Sequence, residues 1–186
     1  IIMHKMHKRI AIVGASGYTG IELTRILSAH PRVEIAVLTS DRWKGDTVED
    51  RLAIRGAIGR LRYDALGDSE ALAKGCDAVM LATPADVSAA LAPRLLDADP
   101  KRPVVDLSGG FRLPDAALYP KWYGFEHPAP AWLGRAVFGM PELFRAEIGK
   151  AQLVANPGCY PTAAALPLAP LLRKRVIEPE GIIVDA

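Results

Sequence analysis

The stretch KRIAIVGASGYTG (residues 8–20) decides the fold. Its first half, Lys8 to Gly14, is a short apolar run that ends on glycine and reads as a buried strand. Its second half, GASGYTG (14–20), is a G-x-x-G-x-x-G turn. Tyr18 to His30 then carries Ile21, Leu23, Ile26 and Leu27 on a broad apolar face and stops at Pro31, which reads as a helix. A glycine turn between strand and helix suits a dinucleotide. One glycine allows the tight turn, another lets the backbone approach a pyrophosphate, and a third lets helix and strand pack closely. The helix N-terminus offers unpaired N–H groups and a partial positive charge to the phosphates. Gly14, Ser16, Gly17, Tyr18, Thr19 and Gly20 are therefore candidate cofactor-binding residues. The spacing differs from the commoner G-x-G-x-x-G, so the strand-before, helix-after context carries the reading. A plain turn with tolerated glycines is the competing one.

Outward from this unit the pattern repeats. Val33–Ser40, Cys76–Thr83, Pro103–Leu107 and Ala151–Ala155 read as strands, and Asp68–Lys74, Ala85–Leu96, Glu142–Gly149 and Tyr160–Arg175 as helices, the last bent at Pro167. The 41–59 segment is polar and shows no element. Residues 109–141 cluster aromatics, prolines and glycines and read as loops over the ligand edge of the sheet. GIIVD (181–185) reads as a final strand. Alternating strands and helices predict an α/β fold, a Rossmann-like doubly wound parallel sheet. Helical crossovers cover both faces of such a sheet, which is why its strands are continuously apolar. Residues 1–155 form the expected dinucleotide-binding domain. Residues 156–186 begin an α+β substrate and dimerisation domain, which a strand at the chain's last residues leaves unfinished.

The composition narrows the class. Half of the 186 residues are hydrophobic and the net charge is +2 with the signs mixed. No polybasic run points to nucleic acid or an anionic membrane, and no apolar stretch is long enough to span a bilayer. The opening IIMHKMHKRI has no signal-peptide shape. Cys76 and Cys159 lie far apart and the four histidines are scattered, with His4 and His7 in a solvated tail, so no metal site is expected. A reduced, cytoplasmic protein is the expectation.

The end of the second strand, TSDRWKG (39–45), bears on which dinucleotide binds. Ser40, Arg42 and Lys44 can hold a 2′-phosphate, which favours NADP(H); Asp41 is the residue that would serve NAD. Thr83 and Pro84 follow a strand at the edge where ligands bind in such folds and are placed near the cofactor. Ser108 and Gly109 end the next strand and are placed near the nicotinamide.

NPGCYPT (156–162) is the second motif. A thiol is a good nucleophile as thiolate, and a helix N-terminus favours that form. Cys159 sits between an expected strand and helix. Gly158 permits an unusual backbone angle, and Pro161 suits a first helical turn. Backbone N–H groups there can stabilise an oxyanion. Cys76, inside an apolar strand, reads as an inert buried thiol. A nucleophilic cysteine beside a nicotinamide implies acyl chemistry through a thioester.

GASGYTG (14–20), LATP (81–84), DLSGGFRL (106–113), KWYGFEH (121–127), FGMPEL (138–143) and NPGCYPT (156–162) together resemble the N-acetyl-γ-glutamyl-phosphate reductase family of arginine biosynthesis, in the family's order and over nearly the whole chain. The resemblance implies that Cys159 attacks the acyl phosphate of N-acetyl-L-glutamyl 5-phosphate. Phosphate leaves, and NADPH reduces the thioester to N-acetyl-L-glutamate 5-semialdehyde. It implies a small acyl-phosphate substrate and a homo-oligomer at full length. Arg112 is a candidate for substrate phosphate or carboxylate, with a structural salt bridge as the alternative. Asn156 is a candidate for orienting the cysteine loop, or a simple turn residue. Two departures stand out. Gly110 replaces the family's usual acidic residue. The family's general acid–base histidine lies beyond Ala186, and His127 is not at its position, so this chain alone is expected to be an inactive fragment. A carrier-linked aminoadipyl-phosphate reductase of lysine biosynthesis, an aspartate-semialdehyde dehydrogenase-like enzyme and a noncatalytic dinucleotide-binding module remain the alternatives.

Overall fold

The computed structural model describes residues 7–185. Strands β1 (Lys8–Val13), β2 (Val33–Thr39), β3 (Tyr63–Asp64), β4 (Ala78–Leu81), β5 (Val104–Asp106), β6 (Ala136–Phe138) and β7 (Leu153–Ala155) form one sheet in the order β3-β2-β1-β4-β5-β7-β6. Every neighbouring pair is parallel. Parallel pairing obliges each connection to carry the chain back to the starting end of the sheet. Helices α1 (Tyr18–Ser28) and α4 (Ala85–Ala98) make two of those returns.

Alternation along β1 divides the core. Ile10 and Ile12 face one side with Ile35, Leu38, Val48 and Tyr63, where Leu23 and Leu27 of α1 pack against them. Ala11 and Val13 face the other side with Val79, Leu81, Leu95 and Leu96. Phe111, Tyr119 and Leu133 join that second layer, so the aromatic segment does pack over the sheet.

Four details differ from the sequence reading. Within 41–59, α2 (Val48–Leu52) forms on a capping box: Asp50 N–H donates to the Thr47 hydroxyl (3.1 Å), and Thr47 N–H donates to the Asp50 carboxylate (3.0 Å). β3 and β6 are strands of two and three residues that borrow their conformation from longer partners. GIIVD (181–185) is not a strand: Ile183 is 91% exposed, and no described strand lies beside it to take up its backbone hydrogen bonds. Helix α7 (Cys159–Arg173) carries Pro167 and Pro170 inside it and buries none of its residues. The short helices α3 (Ser69–Leu72), α5 (Tyr119–Trp122) and α6 (Pro141–Ile148) complete the set. His7 is exposed, and His4 falls outside the described residues.

Arg102 clamps the second layer from below. Its buried guanidinium donates to the carbonyls of Ala73 (2.7 Å) and Leu95 (3.2 Å), at the C-terminal ends of α3 and α4. Helix C-termini carry partial negative charge, so a cation can be held there without a carboxylate. Arg102→Met should lower stability by about 2 kcal/mol, since the Ala73 and Leu95 carbonyls lose their charged donor and keep only the N–H groups of Cys76 and Asp99; equilibrium denaturation would read this, and an unchanged midpoint would refute it.

Candidate active site

All seven strands stop on one line. Asp64 pairs with Thr39, Thr39 with Val13, Val13 with Leu81, Leu81 with Asp106, Asp106 with Ala155, and Ala155 with Phe138. Every candidate residue read from the sequence lies within a few positions beyond this line. In open α/β sheets, ligands bind in the crevice past such strand ends.

The glycine turn leaves β1 and enters α1. Gly14 has φ of +84°, a left-handed angle, and a β-carbon there would lie 2.7 Å from the Ala82 carbonyl oxygen. Gly20 meets the turn itself: a β-carbon would lie 2.5 Å from the Gly14 carbonyl oxygen and 2.6 Å from Ala15 Cα. Gly17 differs from both. It has φ of −78°, and a β-carbon would find nothing nearer than 3.8 Å. The fold therefore requires Gly14 and Gly20, while the space over Gly17 is open. The first intrahelical bond runs from Ile21 N–H to the Gly17 carbonyl (2.9 Å), and no side chain caps α1. The N–H groups of Tyr18, Thr19 and Gly20 are thus at the helix's open end. Tyr18 is 94% exposed. This opening fits the diphosphate of a dinucleotide.

The β2 end splits into committed and free groups. Ser40 is buried and donates to the Ser16 hydroxyl (2.6 Å) while accepting from Trp43 N–H (3.2 Å). Asp41 accepts from Leu66 N–H (2.8 Å), which fastens the β3 connection. Arg42 and Lys44 are exposed, and their side chains make no hydrogen bond or ion pair among the described residues. A cavity of about 430 Å³ lies between this loop and α4, lined in part by Asp41, Leu66, Asp86, Leu91 and Arg94.

The β4 and β5 loops meet over buried hydroxyls. Thr83 and Ser88 share a 2.8 Å hydrogen bond, and Pro84 precedes the first turn of α4 without capping it by a side chain. Ser108 N–H donates to Asp106 (2.9 Å), and Gly110 N–H donates to the Ser108 hydroxyl (3.0 Å). Gly109 is buried beneath the ring of Tyr123, whose phenol end occupies the place of a β-carbon. At Gly110 a β-carbon would lie 3.0 Å from the Ala85 carbonyl oxygen and 3.1 Å from Asp106 Oδ2. A side chain there would need its neighbours on α4 or the Asp106 carboxyl to give by a few tenths of an ångström.

Cys159 is exposed at the first position of α7, after Gly158. The helix opens with Thr162 N–H donating to the Gly158 carbonyl (3.1 Å), which leaves the Cys159 and Tyr160 N–H groups at its free end. Arg112 ties this loop to the β5 loop. Its Nε donates to the Asn156 carbonyl (2.7 Å) and its Nη2 to the Leu107 carbonyl (3.0 Å). Nη1 points at Gly158, where a β-carbon would come within 3.2 Å. Nε and one hydrogen of Nη2 are thus spent, the remaining donors lie on Nη1 and Nη2, and the guanidinium holds no structural salt bridge among the described residues. Asn156 N–H donates to the Asp106 carbonyl (2.8 Å), and its side chain reaches its neighbour Pro157 (3.3 Å). Cys76 is buried and its thiol is pushed up by desolvation. His127 is locked, with Ala129 N–H on Nδ1 (3.2 Å) and Nε2 against the Gly110 carbonyl (2.8 Å); burial pushes its protonation downward.

Sequence reading overlooked Ser88, Asp106 and Tyr123. Nothing local marks Ser88 or Tyr123. Asp106 carried a signal, a carboxylate closing an apolar strand. Among the described residues no group of side chains could hold a metal ion, and no helix is long and apolar enough to cross a membrane.

Residues 9–151 match the family model described as semialdehyde dehydrogenase, NAD binding domain. The chain is 45% identical over 96% of its length to an N-acetyl-gamma-glutamyl-phosphate reductase of Afipia carboxidovorans, covering 51% of that protein. It is 47% identical over 96% of its length to the reductase of the same name from Geobacillus thermodenitrificans, again covering 51%. The chain thus spans about half the length of the curated relatives it matches. Among solved structures, aspartate semialdehyde dehydrogenase with NADP from Candida albicans superposes with a TM-score of 0.66 at 18% identity, over 90% of this chain and 47% of that one. Aspartate semialdehyde dehydrogenase II from Vibrio cholerae gives 0.65 at 19%, over 90% and 47%. At such identities these likenesses show the fold. The chain belongs to the family of semialdehyde dehydrogenase NAD-binding domains.

The three glycines separate folding from binding. Gly20→Ala should destabilise the fold by about 3 kcal/mol through overpacking. Gly17→Ala should cost at most about 1 kcal/mol, the N-cap preference for glycine over alanine, and weaken dinucleotide affinity. Melting curves and nucleotide titrations of both variants check this; a Gly17→Ala protein that binds as well as the parent would show that the opening holds no diphosphate.

Proposed function

We propose that this chain is the cofactor-binding half of an NADPH-dependent reductase that converts N-acetyl-L-glutamyl 5-phosphate to N-acetyl-L-glutamate 5-semialdehyde and phosphate, a step of arginine biosynthesis. The observation that carries the reading is the single line of strand ends, which brings the glycine turn and an exposed Cys159 to one edge. The names of relatives at 45% and 47% identity supply the substrate. A noncatalytic dinucleotide module would need the turn and have no use for an exposed thiol at a helix start.

In this reading the amides of α1 and the open space over Gly17 take the diphosphate, and Arg42 and Lys44 take a 2′-phosphate. Ser16, Thr83, Pro84, Ser108 and Gly109 complete the cofactor's surroundings. Cys159 Sγ, as thiolate, attacks the acyl carbon. A C–S bond forms, the C–O bond to phosphate breaks, and phosphate leaves with that electron pair. The Cys159 and Tyr160 N–H groups face the oxyanion, and Arg112 Nη1 attracts the departing phosphate. When bound, NADPH supplies the hydride that turns the thioester into an aldehyde and frees the thiolate. Residues 1–155 form the cofactor domain and 156–186 open the catalytic one. The general acid–base histidine and the remaining substrate contacts belong to sequence beyond residue 186.

The test runs the reaction backwards: phosphate-dependent reduction of NADP+ by N-acetyl-L-glutamate 5-semialdehyde, with the chain in its full-length context. Cys159→Ser should lower the rate by about a thousandfold or more, as removal of a catalytic nucleophile does. Activity on aspartate semialdehyde instead would reassign the substrate, and an active Cys159→Ser variant would remove the thioester.

A further inference from the structure

The run HPAP (127–130) is short of backbone donors. Pro128 and Pro130 have no N–H, so Ala129 carries the only one between His127 and Ala131. That N–H donates to His127 Nδ1 (3.2 Å). On the other side of the ring, Nε2 lies 2.8 Å from the Gly110 carbonyl oxygen, which can only accept. The two partners together fix the imidazole: Nε2 carries the hydrogen and Nδ1 the lone pair, so the ring is neutral and held in one tautomer. It is buried, with its centroid 4.6 Å from that of Tyr119 and 5.3 Å from that of Phe111, edge-on to both. One side chain thus joins the β5 turn to the segment that leads through Pro130–Arg135 into β6.

We propose that His127 is an acid-released clasp between the Ser108–Gly110 turn and the Pro-Ala-Pro run, closed as the neutral Nε2–H imidazole and opened when a proton takes the lone pair of Nδ1. That proton would lie where the Ala129 N–H points, so donor would face donor and Ala129 must turn away. Flanking prolines limit how it can turn, and the displacement passes on to Trp132, whose N–H donates to the Ala129 carbonyl (3.1 Å). The Gly110 bond survives, because Nε2 keeps its hydrogen. The β5 turn therefore stays in place while the aromatic segment opens at its far end. The charged and titratable groups around the ring are the Tyr119 phenol, held by Leu113 N–H (3.2 Å), the Tyr123 phenol stacked on Tyr119, the Asp106 carboxyl beside Gly110, Arg112 on the same loop, exposed Glu126, and Arg135, which is spent on Trp132 and Gln152. None of them is bonded to the imidazole among the described residues, and burial pushes Asp106 toward its neutral form. Desolvation accordingly holds the protonation of His127 below the ordinary histidine range. His127 is a positioning residue in this scheme, and the clasp stands whatever ligand the site takes.

The test reads the ring itself, by nuclear magnetic resonance of the full-length protein labelled at histidine nitrogen. Two-bond hydrogen–nitrogen correlations distinguish the tautomers. The His127 signals are assigned by their proximity to the Tyr119 ring and by their absence from His127→Gln. In neutral solution His127 should show a protonated Nε2 and a bare Nδ1, and this pattern should persist below the ordinary histidine value of about 6.5. Through the transition the Ala129 amide should lose about tenfold in protection from hydrogen exchange, the size of one hydrogen bond. The Gly110 amide, bonded to the Ser108 hydroxyl, should keep its protection. An Nδ1–H tautomer, a titration at or above that value, or an Ala129 amide whose protection does not move overturns the clasp.

Melting curves test the linkage separately. The folded ring is held below its unfolded value, so its contribution to stability is fully present above the unfolded pKa and is lost as pH falls through the folded one. The side chain in His127→Gln can still donate to the Gly110 carbonyl and cannot titrate. The parent should therefore lose melting temperature relative to that variant as pH falls below about 6.5. Parallel curves refute the clasp. Should His127→Gln fail to fold, the tautomer and the exchange of Ala129 in the parent protein decide the matter without it.

Discussion

Parallel hydrogen bonding in register is the constraint on which this molecule rests. Each strand is held to its neighbour so that Asp64, Thr39, Val13, Leu81, Asp106, Ala155 and Phe138 share one line. The ladder carries one residue past that line, as in Ala82 N–H to the Val13 carbonyl and Asn156 N–H to the Asp106 carbonyl, and the backbone is released to form turns beyond it. Helices α1, α4 and α7 all start there, and none of the three is capped by a side chain. The partial positive charge of three helix starts accumulates on one edge. A chain so arranged favours anions there before any charged side chain is counted.

Side chains at that edge divide between those that hold the loops and those left open. Ser40, Asp41 and Asn156, each plausible as a ligand contact by type and position, have hydrogen bonds within the chain. Gly17, Arg42, Lys44 and Cys159 keep their faces open. Exposure and spent valence sort candidates that residue type alone leaves equal.

Legibility followed the range of the forces involved. The unit from Lys8 to Ser28 could be read because its strand, glycine turn and helix are specified by consecutive residues. β3 and β6 could not, since two or three residues carry no periodicity and owe their extension to β2 and β7. GIIVD misled for the converse reason: an apolar run has strand propensity, but a strand exists only beside another. α2 was readable in principle from Thr47 and Asp50, whose spacing makes a capping box. The role of Arg112 was half legible. Its fork suggested an anion, whereas the carbonyls it binds come from positions 107 and 156, which only folding brings together.

That last arrangement has a mechanical consequence. Arg112 is a rigid plane with two of its nitrogens fastened to two different loops and the third facing Gly158. A rigid plane cannot bend, so an anion that draws on the free nitrogen moves both backbones together. The β5 loop and the loop that leads into Cys159 are thereby coupled, and a pull on one is felt as a displacement of the other.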